Sequence, residues 1–183
     1  CASCAGSAMA PDAAFTALLV ATSGAIGCSL VIERLMTPRP RLLRPASAWA
    51  LHIGLCASAH AVLTLLLGRP WFAGAALSAF LLLLVLVNNA KMKALREPFV
   101  FQDYEYFTDA IRHPRLYIPF LGWGKFIGAA SGFVLAVLIG LLGEAIPDER
   151  FVWSGQLGAA LVVLAGGILL VLVAQRKLPA ASF

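Results

Sequence analysis

Three groups of residues carry side chains able to do chemistry. The first is a run of ions between residues 91 and 112: Lys91, Lys93, Arg96, Glu97, Asp103 and Arg112. Cations grouped in this way bind phosphate, Arg through two parallel hydrogen bonds and Lys as a point charge. Asp103 or Glu97 can orient those cations or accept from a hydroxyl of the bound group. The second group is His52 and His60, eight apart in an uncharged stretch and about 80° apart around a helix. A proton relay or metal pair would use them; a neutral ring bonded to a neighbouring helix is the plainer role. The third is four cysteines. Cys1 and Cys4 form a C-x-x-C without the second ligand pair that zinc requires, and Ala5-Gly6 excludes haem attachment. Cys28 and Cys56 sit in apolar runs and read as small buried hydrophobes. The chain has no Gly-rich phosphate loop, H-E-x-x-H, G-x-S-x-G or carboxylate pair within an apolar run. No catalytic residue, metal ligand or cofactor site is therefore assigned within it.

The elements that must position these groups follow from composition. Of the 183 residues, 61% are hydrophobic and 13% charged, where a soluble domain carries roughly 25% charge. Mean hydropathy is +0.88. A soluble enzyme, a disordered chain and a disulfide scaffold are excluded. The net charge of +5 is assigned to lipid headgroups and the positive-inside bias, with no nucleic-acid partner. Uncharged runs of about the ~20 residues needed to cross a bilayer predict an all-α polytopic membrane protein of five transmembrane helices. The spans fall at about 13–34, 46–68, 71–91, 125–143 and 151–175, flanked by an N-terminal segment 1–12 and a linker 178–183. Asp12 is expected to cap the first. Pro38, Pro40 and Pro45 make 36–45 a water-exposed turn, and Gly68-Arg69-Pro70 is a tight break. Glu33 is expected to pair with Arg34 or Arg39. Gly128 and Gly132 have the spacing of a close helix contact, and Asn88 and Asn89 are expected to hydrogen-bond across helices.

Residues 92–124 form an interfacial segment. Phe99, Phe101, Tyr104, Phe107, Tyr117 and Trp123 supply rings that fix its depth in the headgroup layer. Asp103 is expected to cap a short amphipathic helix ending near Arg112, with Tyr104, Phe107 and Ile111 on one side. Such a segment is either a plain anchor or a rim that binds anionic or glycerophospholipid headgroups of membrane lipids.

The stretch from Asn88 to Gly122 carries Asn-Ala-Lys, Leu-Arg-Glu-Pro-Phe-Val-Phe-Gln-Asp and Arg-His-Pro-Arg-Leu-Tyr-Ile-Pro-Phe-Leu-Gly. It resembles the membrane part of the proteobacterial lipoteichoic-acid-synthase-like family, relatives of the phosphoglycerol transferases in the sulfatase superfamily. The resemblance is sharp over some 35 residues and architectural elsewhere. It implies a bacterial inner-membrane location and, C-terminal to this chain, a non-cytoplasmic catalytic domain where a metal-bound Thr attacks a phosphoglycerol headgroup. A divalent metal is expected only there. The chain starts without Met and ends at Ala181-Ser182-Phe183, so it reads as a fragment. The implied role is the membrane-embedded module of a cell-envelope enzyme, an anchor and lipid-headgroup platform. The alternatives are a small transporter whose path uses His52 and His60, or a structural membrane subunit.

Charge gives an orientation of its own. With five spans, twelve Lys and Arg fall on the side of the first linker and two on the other. The positive-inside rule then puts the C-terminus in the cytoplasm. The resemblance implies the opposite side for a catalytic domain beyond Phe183, unless another span intervenes.

Overall fold

The computed structural model describes residues 11–41, 43–100, 103, 112, 123–143 and 152–177. These form five helices: α1 (Pro11–Glu33), α2 (Ala46–Leu67), α3 (Pro70–Leu95), α4 (Trp123–Gly143) and α5 (Val152–Lys177). The described residues contain no strand, as the all-α reading expects. Four of the helices (α1, α2, α3 and α5) are long and apolar enough to cross a membrane. Large apolar side chains such as Val31, Leu66 and Leu169 stay exposed on their outer faces. A helix that is apolar all round needs lipid or protein on every side, as membrane-spanning helices do.

Punctuation residues set the helix ends. Proline lacks an N–H and has a helix-compatible φ, so Pro70 fits the first turn of α3. Gly68 closes α2 in the left-handed region, φ 67°, its N–H donating to Thr64 O at 2.8 Å. α1 starts at Pro11, one residue ahead of the expected cap Asp12, and α3 runs on past Lys91 to Leu95.

Helices α1, α3, α2 and α5 close a ring in that order, with α1 also touching α2 across it; among the described helices α4 packs on α3 alone. Leu18, Ala159 and Ala160 fill the centre with Leu65 and Val163. The closest approach joins α2 to α5. A Cβ at Gly54 would lie 2.7 Å from Gly167 O, and one at Gly167 would lie 2.9 Å from Gly54 O. The close contact expected at Gly128 and Gly132 is absent, since a Cβ at either meets nothing within 4 Å. Spacing alone marks small residues; the neighbouring backbone decides which of them are used.

Candidate functional site

The end of α3 gathers the polar residues of the interfacial segment. Asn88 is buried there and works in two directions. Its Nδ2 donates to Thr37 O at 2.9 Å, and its Oδ1 accepts from Phe99 N at 3.0 Å. Asn89 accepts from Thr37 N at 2.7 Å and donates to Leu35 O at 2.7 Å. The two amides therefore do not bridge helices as expected. They tie the first linker and the segment after α3 to one helix end, because those non-helical backbones have unpaired groups that a helical neighbour lacks.

One helical turn further on, Lys91 Nζ donates to Asp103 Oδ2. The same carboxylate accepts from Val100 N at 2.8 Å, and Asp103 N donates to Val100 O at 2.9 Å. A carboxylate reaching back three residues to an N–H is the acidic half of a capping box. Asp103 thus faces back toward Val100 and Lys91. The Lys91 ammonium, then the Val100 N–H, hold its carboxyl below the ordinary carboxylate range.

The remaining ions divide clearly. Lys93, Arg96, Glu97 and Arg112 are exposed, whereas Lys91 is spent on Asp103 within the fold. Arg96 is the C-cap of α3 with φ 61°, a left-handed conformation that a side chain with a Cβ rarely adopts. This turn ends α3 and starts the extended run to Val100. Phe99 is half-buried beside Asn88. The amphipathic helix expected from Asp103 to Arg112, the rings of Phe101, Tyr104, Phe107 and Tyr117, the side chain of Trp123, and Cys1 and Cys4 lie outside the described residues.

Glu33 pairs with Arg44 at 2.8 Å, correcting the expected partners Arg34 and Arg39. Arg44 also lies over the Trp49 ring, 5.7 Å from its centroid. The linker folds back so that its last base, not its nearest, meets the end of α1.

The histidines form two separate nodes between α1 and α2. His60 is fully buried; its Nε2 donates to Pro70 O at 2.9 Å, and its Nδ1 lies 2.9 Å from Thr22 Oγ1. The carbonyl can only accept, so the neutral ring carries its proton on Nε2 and takes the Thr22 proton at Nδ1. Leu18 O, 2.8 Å from the same hydroxyl, competes for that proton. His52 Nε2 lies 2.9 Å from Ser29 Oγ, and Cys56 Sγ reaches Ser29 Oγ at 3.5 Å. Cys56 is buried as expected, but Cys28 is exposed on α1. No group of His, Cys, Asp and Glu among the described residues could hold a metal ion. Sequence reasoning does not single out the partners Thr22 and Ser29. Their spacing of seven matches the spacing of eight between His60 and His52 on an antiparallel neighbour, and that register is the signal that could have found them.

Comparison of the chain with protein-family models, with curated proteins and with solved structures returned no match.

Proposed function

We propose that this chain is the membrane-embedded module of a phosphoglycerol-transferase-like enzyme of the bacterial cell envelope. It crosses the inner membrane five times, α4 included, and serves as anchor and lipid-headgroup platform. One observation carries this reading. Within the segment that carries the family resemblance, Phe99 and Asp103 are pinned to the end of α3 by Asn88 and Lys91, and Lys93 and Arg96 stand exposed. Pairing with Lys91 ties Asp103 to the end of α3. The exposed cations then stand where anionic headgroups lie.

Arg96 is the main phosphate ligand in this proposal, because its planar fork can donate two parallel hydrogen bonds. A charge-assisted contact of this kind is worth about 1.5–3 kcal/mol, so its loss weakens binding roughly 10- to 150-fold. The test measures binding of the purified bundle to phosphatidylglycerol vesicles at fixed salt. Arg96→Lys should lose much of the affinity, whereas Arg39→Lys in the first linker should not. Equal behaviour of the two variants would reduce the loop to a charged anchor.

A further inference from the structure

Helices α1, α3 and α4 line a half-open cavity of about 750 Å³. Gly24 and Ala25 of α1 and Ala75 and Ala79 of α3 form its walls, and Phe133 of α4 closes one side. Trp71 stands at one end, Ile32 and Leu86 at the other. At about 1.5 Å per residue, the length from Trp71 to Leu86 is about 22 Å, more than the roughly 15 Å depth of one leaflet. The lining is apolar. Its one hydroxyl, on Ser78, spends its proton on Gly74 O at 2.8 Å, and the lone acceptor that remains is too little to hold a water. Cavities without polar partners stay dry or take apolar guests, and the guest at hand in a bilayer is a lipid chain.

The register of α3 shows where the headgroup of such a lipid would lie. Ala75, Ala79, Leu82 and Leu86 share an arc of about 60°, and Lys93 continues that arc past the Leu86 end of the cavity. Lys93 is exposed, and no described residue pairs with it. An apolar slot headed by an exposed ammonium is complementary to one alkyl chain with a phosphate at its end.

We propose that this cavity holds an alkyl chain of an anionic membrane lipid whose phosphate is met by Lys93. The proposal rests on the reading of the exposed bases as a headgroup rim, and adds a defined seat for the chain. Glycine geometry supplies a clean test. A Cβ at Gly24, Gly27 or Gly132 meets nothing within 4 Å, but only Gly24 and Gly132 line the cavity. The full chain is placed in phosphatidylcholine vesicles with a trace of phosphatidylglycerol bearing a diazirine midway along one alkyl chain. Photolysis should label α1 and α3 along the cavity. Gly24→Leu, with Gly132→Leu as the second variant, should reduce this labelling to the level of the outward faces, and Gly27→Leu should leave it intact. Lys93→Gln should reduce it about fivefold for the phosphatidylglycerol probe, and not for a phosphatidylcholine probe. Even labelling of every lipid-facing helix overturns the proposal. So does equal labelling of the Gly24→Leu and Gly27→Leu variants, or an equal response of both probes to Lys93→Gln. Arg96→Lys reports on the rim alone: loss of vesicle affinity with cavity labelling retained, or the reverse, separates the two readings.

Discussion

Asp103, Arg96 and His60 each hold a position that a single substitution can test. The Asp103 carboxyl sits below the ordinary range because Lys91, then Val100, bond its charged form. A depressed carboxyl stabilises the fold fully above its unfolded pKa of about 3.9, and that contribution is lost as pH falls through the lower folded value. Hydrogen exchange at the Val100 amide should therefore stay slow through neutral and mildly acidic pH. It should accelerate only well into acid, after correction for intrinsic rates. Asp103→Asn should exchange faster throughout, because a neutral amide is a weaker acceptor for both partners; slow exchange in that variant would show that the carboxylate does not hold the turn. Arg96 departs from local preference, since a left-handed C-cap favours glycine by about 1 kcal/mol. Arg96→Gly should raise the unfolding midpoint while vesicle binding falls, so that stability and affinity move in opposite directions. His60 is bonded on both nitrogens at 2.9 Å. Polar contacts between helices in lipid average about 0.6 kcal/mol, so His60→Gln, which keeps one donor and one acceptor, should cost about 1 kcal/mol or less. His60→Ala also empties the centre of the α1–α2 contact and should cost about 2–4 kcal/mol, read by unfolding in mixed micelles.

Small residues decide the fold at the scale of the helices, through the backbone that faces them. Between α2 and α5, Gly54 and Gly167 bring the backbones together so closely that a methyl group at Gly54 would meet a carbonyl oxygen. Gly54→Ala should therefore push the helices apart and cost about 1–3 kcal/mol. Gly128→Ala, open on every side, should be neutral or slightly stabilising through helix propensity. Ser58 lies in the same α2–α5 contact, its buried hydroxyl without a hydrogen-bond partner among the described residues, and Ser58→Ala should gain about 1 kcal/mol. Thermal unfolding of the three variants in one detergent orders them; a destabilised Gly128→Ala beside a neutral Gly54→Ala would reverse the packing assignment. This contrast also marks what was legible in the sequence. The limits of α2 could be read from Pro45 and Gly68, and the start of α3 from Pro70, because proline and glycine act on their own backbone. The choice of Gly54 over Gly128 could not, because it depends on which helix stands opposite. Similarly, the concentration of ions around Arg96 was visible, but the turning of Asp103 onto Lys91 and Val100 was not. The cavity was not legible either, since its walls are Ala and Gly positions that would serve equally well in a filled contact.

For the whole molecule the decisive quantity is parity. Asn88 and Asn89 bind the backbone at Leu35 and Thr37, which places the first linker and the end of α3 at the same end of the bundle. Two helices separate those segments, so α2 and α3 cross and return, with Arg69 at the far end. Whether α4 also crosses fixes the side of everything after it. Its 21 residues span about 31 Å at about 1.5 Å each, matching a hydrocarbon core of roughly 30 Å. The sequence from Trp123 to Gly143 contains one charge, Lys125 near its start, where a lysine can snorkel to the headgroups. Five crossings leave two of the fourteen bases on the far side, a strong bias of the kind that sets topology. The test introduces single cysteines into a chain whose own four are replaced by serine, and labels right-side-out vesicles with a membrane-impermeant maleimide. Cysteines at Thr37 and Arg96 should react from the same side, and cysteines at Arg69 and Asp148 from the other. If Asp148→Cys reacts with Arg96→Cys, α4 does not cross, the chain has four spans, and the side assigned to Arg176 and Lys177 reverses.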